Sequence, residues 1–95
     1  MLSHSSQAAQ LLKSISNEHR LLILCILHDR ELSVGELNEM LPQLSQSALS
    51  QHLAVLRNEE LVATRRDAQT IYYKLVSTEA GRIINVLHDL YCAKN

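Results

Sequence analysis

Ser33 to Arg57 constrains the fold more than any other stretch, because it encodes two short helices and the corner between them. Ser33 with Glu36 three residues later makes a capping box, in which each side chain satisfies a free backbone N–H at a helix start. Val34, Leu37, Met40 and Leu41 follow as one apolar stripe, and Pro42 ends it, since proline has no N–H to give to a helix interior. After Pro42-Gln43-Leu44, Ser45 caps a second helix whose Leu49, Leu53 and Leu56 recur at i, i+4 and i+7. Two short capped helices joined by so tight a turn predict a helix-turn-helix.

The outer side of that second helix carries Gln46, Ser47, Ser50, Gln51 and, at its end, Arg57. It has neither acid nor lysine, which most solvent-facing helices do. Short uncharged donors and acceptors suit the hydrogen-bonding edges exposed in the DNA major groove. An ordinary amphipathic helix with a mildly polar surface would read the same way from these residues alone. His52, beside Leu53, fits a phosphate contact and a half-buried packing role equally well.

The remaining segments frame this pair. Gln7 to Ile15 predicts a first helix. Asn17 caps a second, running through His19 to about Asp29, whose Leu21–Leu27 run is apolar on every side and marks it as the centre of the core. Leu61–Arg65 and Thr70–Leu75 are β-favouring runs, and the intervening Arg66-Asp67-Ala68-Gln69 makes them a hairpin. Such a hairpin after a helix-turn-helix is a wing. Arg65, Arg66 and Gln69 at its tip are candidates to reach a phosphate or the minor groove, and Arg57 is a further candidate phosphate contact. Ser77 or Thr78 caps a last helix with Ala80, Ile83, Ile84, Leu87, Leu90 and Tyr91 on its apolar side. The predicted fold is mainly α with a small hairpin, a winged helix-turn-helix in the order α-α-α-α-β-β-α, filling residues 1–95 as one domain. Its first and last helices carry more apolar surface than a domain this small covers, so a homodimer through them is expected.

Composition narrows the function. With no Trp or Phe and three Tyr, the chain lacks the aromatic platform that single-stranded nucleic acid stacks on. The net charge of −1 provides no global basic field, so DNA affinity has to come from locally placed arginines and from pairing two copies. Two glycines, Gly35 and Gly81, build no phosphate or oxyanion cradle, and enzymatic activity is not expected. No signal peptide or spanning segment is read, so two cysteines, Cys25 and Cys92, point to the cytoplasm, where a structural disulfide is unusual.

The chain resembles the ArsR/SmtB family of winged-helix regulators. The resemblance runs from Ser16-Asn17-Glu18-His19-Arg20-Leu21-Leu22-Ile23-Leu24 through Gln51-His52-Leu53 and Ile71-Tyr72-Tyr73 to the last helix. Within the family, Leu44 to Leu53 and Leu87-His88-Asp89-Leu90-Tyr91-Cys92 are similar to the thiol- and persulfide-responsive BigR/SqrR/HlyU branch. That resemblance implies a homodimer on palindromic double-stranded DNA, with Cys25 and Cys92 as a switch answering a small sulfur or oxidant species. It also implies a virulence role, activation of a toxin gene by displacing a silencing protein. Two departures exclude the family's familiar metal sites. Ser33 and Gly35 stand where metal sensors have the cysteines of a Cys-Val-Cys box, and the last helix offers His88-Asp89 and Glu79 in the wrong order for its zinc site. No metal or other cofactor is therefore expected.

Read without the resemblance, each cysteine suits a structural role, and Cys25 among leucines and isoleucines reads as an inert buried thiol. Cys25-x-x-His28 with His88-x-x-x-Cys92 also leaves a four-ligand zinc set, hence a zinc-responsive regulator, open as an alternative, although His28 suits a solvent-facing helix end. A bridge between the two thiols needs their Cα atoms about 4.4–6.8 Å apart.

Overall fold

Each of the four later helices starts where a short polar side chain can take over its free N–H groups. In the computed structural model, which describes residues 2–92, Asn17 Oδ1 accepts from the backbone N–H groups of His19 and Arg20 to open α2 (Glu18–Ile26). Ser33 and Glu36 form the expected capping box on α3 (Val34–Met40). Ser45 Oγ accepts from Ala48 N–H at the start of α4 (Gln46–Asn58). Of the two candidates for the last helix, α5 (Thr78–Tyr91), Ser77 is the cap. The first helix, α1 (Ser5–Ile15), has no side-chain cap and begins two residues earlier than expected, after a 3-10 turn at Leu2–His4.

One strand was not legible. Leu32–Ser33 forms β1, which pairs antiparallel with β3 (Thr70–Leu75), itself paired with β2 (Val62–Asp67), giving the sheet order β1-β3-β2. The order of elements is therefore α-α-β-α-α-β-β-α rather than the one expected. A two-residue strand has no period to detect, and Ser33 spends its visible signal on capping α3. Among the described residues no helix is long and apolar enough to cross a membrane.

The core forms between α2, α3 and α4, where Ile23, Leu24, Leu37, Leu49, Leu53 and Leu56 are all wholly buried. The second helix departs from expectation in two ways. It ends at Ile26, three residues early, and it is not enclosed on every side, because Leu22 and Cys25 are exposed. Met40, placed on the buried stripe of α3, is exposed as well.

The end of α4 sets the wing's starting point. Glu60 lies in the left-handed region at φ 60°, a conformation that favours glycine. Its N–H donates to Arg57 O (3.0 Å), and Leu61 N–H donates to Leu56 O (2.9 Å). This pair of bonds is a Schellman closure, sealed by the buried side chains of Leu56 and Leu61. The chain reverses there and enters β2.

Candidate nucleic-acid interface

With Leu49, Leu53 and Leu56 holding α4 from beneath, its opposite arc is left to solvent. Gln46, Ser47, Ser50, Gln51 and Arg57 are all exposed there. Among the described residues none of these five side chains has an internal hydrogen bond or ion pair. The first turn of α4 contains no acid, so the positive end of the helix dipole is not neutralised. A rigid helix thus presents a row of unengaged donors and acceptors ending in a free cation.

His52 belongs to a different side of α4. It is half-buried, with its ring 5.7 Å from that of His19 and tilted by 46°. Burial, and then the nearby Arg20 and His19, push its pKa below the usual imidazole value. At neutral pH it is an uncharged packing group at the flank of the polar arc.

The wing corrects the expected position of its arginines. Arg65 and Arg66 lie within β2, opposite Tyr72 and Ile71, and the tip is Ala68-Gln69. Ala68 takes φ 58°, the positive value that a two-residue hairpin loop demands of its first position. Arg66 is exposed, and its Nε–H donates to Ala68 O at 3.1 Å. Arg65 is engaged on two sides. Its Nε and Nη2 both reach Glu31 Oε1 at 2.6 Å, and its guanidinium carbon sits 4.7 Å from the Tyr72 ring centroid. The hydrogen bond from Arg65 holds the Glu31 carboxyl below the usual carboxylate range, and Glu31 in turn raises Arg65. Sequence reasoning missed Glu31 because only the pairing of β1 with β3, Ser33 opposite Tyr72, brings it to the wing.

Cys25 is exposed on α2, not buried, and Cys92 is exposed at the C-terminal cap of α5. Both are free thiols, on helices that pack together. Partial burial of its sulfur pushes the Cys25 thiol up, and the negative charge of Cys92 adds to the rise. His28 is half-buried at its helix end. Its Nε2 is 2.7 Å from Asn85 Oδ1, and its ring lies over Gly81, where an added Cβ would meet Cε1 at 3.5 Å. The four-ligand set of Cys25, His28, His88 and Cys92 is not assembled, and no three His, Cys, Asp or Glu side chains converge as a metal site among the described residues.

Residues 17–64, from the cap of α2 into β2, match the family model described as bacterial regulatory protein, arsR family. The chain belongs to the ArsR family. Over all 95 residues this ArsR-family chain is 58% identical to the transcriptional activator HlyU of Vibrio cholerae, covering 87% of that relative. The solved structure of reduced HlyU from Vibrio cholerae aligns at TM-score 0.90 and 59% identity, over 97% of this chain and 96% of that one. The transcriptional repressor BigR from Xylella fastidiosa aligns at TM-score 0.90 and 38% identity, over 99% and 95%. The fold is the winged helix-turn-helix of these regulators, and this ArsR-family member is a transcriptional regulator rather than an enzyme.

Proposed function

We propose that residues 1–95 act in the cytoplasm as one DNA-binding unit that, as a homodimer, reads a palindromic double-stranded operator with α4 of each copy. The observation that carries this is the exposed, internally unpartnered arc of Gln46, Ser47, Ser50 and Gln51 on a helix anchored by three buried leucines. These four meet base edges, Arg57 and Arg66 meet phosphates, and His52 supports the flank. Exposed Leu12, Val86, Leu90 and Tyr91 on α1 and α5 favour those helices as the dimer interface. Pairing there sets the two α4 helices about one DNA turn, ~34 Å, apart.

Cys25 and Cys92 are the switch. Oxidation removes two electrons and two protons from the thiol pair and joins the sulfurs directly, or through extra sulfur atoms when the oxidant is a polysulfide. The link ties α5 to α2 and changes how the dimer spaces its α4 helices. Both thiols are solvent-accessible on helices that pack together, and a 59%-identical relative is described in a reduced form. The sequence resemblance implies that the output is activation of a virulence gene, a toxin, through displacement of a silencer, and a 58%-identical relative is named a transcriptional activator.

Fluorescence anisotropy on operator and random duplexes tests the reading. Gln51→Ala weakens operator binding by about 1–3 kcal/mol and leaves random DNA unchanged, whereas Arg66→Ala weakens both and lowers the salt slope by about one. Equal losses on both duplexes for Gln51→Ala would remove its base-reading role. Operator binding by reduced protein that survives polysulfide treatment, in wild type as in Cys25→Ser, would remove the switch and leave the DNA reader standing.

A further inference from the structure

The geometry points to Glu31 as an internal competitor of DNA phosphate: its carboxylate occupies the Nε–Nη2 edge of Arg65 and keeps this wing arginine from gripping DNA indiscriminately. This rests on the DNA reading above and adds a residue that sets the balance between specific and indiscriminate binding. Glu31 is outside the helix-turn-helix and the wing, in the connection from α2 to β1. The edge it takes, with both contacts at 2.6 Å to one oxygen, is the one a guanidinium offers to a phosphate in its forked mode. The Tyr72 ring, 4.7 Å away, covers one face of the same guanidinium, so Arg65 cannot swing freely to a second partner while the first is held. Lys74, whose charge also lowers the Glu31 carboxyl, adds to the field that keeps this carboxylate ionised.

The chemistry is an exchange of anions. For Arg65 to take a phosphate, the Glu31 carboxylate must leave, and the positive charge gained on one side uncovers a negative charge beside the DNA. A phosphate contact made this way releases little net counterion. Arg65 of the wild-type chain therefore adds little to binding of random DNA, which is left to Arg57 and Arg66. It engages where α4 has already fixed the protein on an operator.

The test is the salt dependence of binding to a random-sequence duplex. Glu31→Gln, and equally Glu31→Ala, tightens this binding, and the slope of log K against log salt steepens by about 0.9, the value for one additional phosphate contact. Between 50 and 200 mM salt that is ~3.5-fold more affinity lost than by wild type. In Glu31→Gln/Arg65→Ala the gain disappears. A slope unchanged in both Glu31 variants would overturn the competition. So would a gain that persists in the double variant, since it would come from the lost negative charge alone and not from a released arginine. Wild type without salt-dependent binding to any duplex would instead sink the DNA reading itself, and the clamp with it.

Discussion

Helices α4 and α5 are both amphipathic, yet they leave opposite kinds of surface uncovered. In α4 every large apolar residue of the inner stripe is satisfied within the chain, and what remains outside is mainly Ser, Gln, Asn and Arg, with Ala54 and Val55 as apolar exceptions. In α5 the inner stripe is satisfied only near its start, by Ala80 and Ile84, and the helix runs on with Leu90 60% and Tyr91 78% exposed. The first helix is finished and offers polar groups, which suits a polar, hydrogen-bonding partner. The second is unfinished and offers apolar area, which suits a surface like its own. One chain thus separates a reading face from a pairing face.

Leu53→Ala attacks the finished helix. The side chain is wholly buried between α4 and the core, so its loss leaves a cavity and costs about 2–5 kcal/mol in chemical denaturation. A cost below ~1 kcal/mol, the range of exposed sites, would mean that α4 is not anchored as described. Leu90→Asp attacks the unfinished one. The chain should stay folded, and in sedimentation equilibrium the dimer dissociation constant should rise about 100-fold, ~2.7 kcal/mol. A dimer as tight as wild type would move the interface off α5. A smaller effect concerns how α4 stops. Glu60→Gly removes the cost of a side chain at φ 60° and should raise stability by about 0.4–1 kcal/mol. A loss instead would show that the Glu60 side chain contributes contacts outweighing its backbone strain.

The same contrast governs how much of the molecule could be read in the sequence. Capping residues and 3.6-residue periodicity are local, so Asn17, Ser33, Ser45 and Ser77 and the stripe of α4 were all legible. The polar arc followed at once, because whatever lies opposite Leu49, Leu53 and Leu56 must face outward. What local pattern cannot supply is pairing across the chain. Strand β1 exists only because β3 is beside it, and the Glu31–Arg65 ion pair exists only because β1 does. The hairpin's strands ran further toward the tip than Arg66-Asp67 suggested, since Ala68 rather than glycine makes the turn. Cys25 misled for a related reason. An apolar neighbourhood in sequence is not enclosure in space, and the open side of α2 left the thiol exposed.

That thiol yields the smallest effect and a signed dependence on pH. The Cys25 pKa is raised, first by partial burial and then by the charge of Cys92. Alkylation by iodoacetamide goes through the thiolate, so at neutral pH Cys25 should react more slowly than a free cysteine and keep accelerating after the free thiol has levelled off. Folding that raises a thiol's pKa favours the protonated form. Its contribution to stability is therefore intact below the unfolded value and is lost as pH climbs through the folded one. Cys92→Ser removes the second cause but not the first. The negative charge of Cys92 opposes ionisation of Cys25, so the variant should react about twofold faster at alkaline pH, where the reacting thiolate forms. Mass spectrometry of the Cys25 peptide measures both rates. Equal rates at every pH would place the sulfurs beyond each other's field, and with it beyond easy reach of a shared bridge. A twofold gain confined to alkaline pH would keep the pairing face and the thiol pair parts of one device, because the residue that senses Cys25 sits at the end of the helix left unfinished.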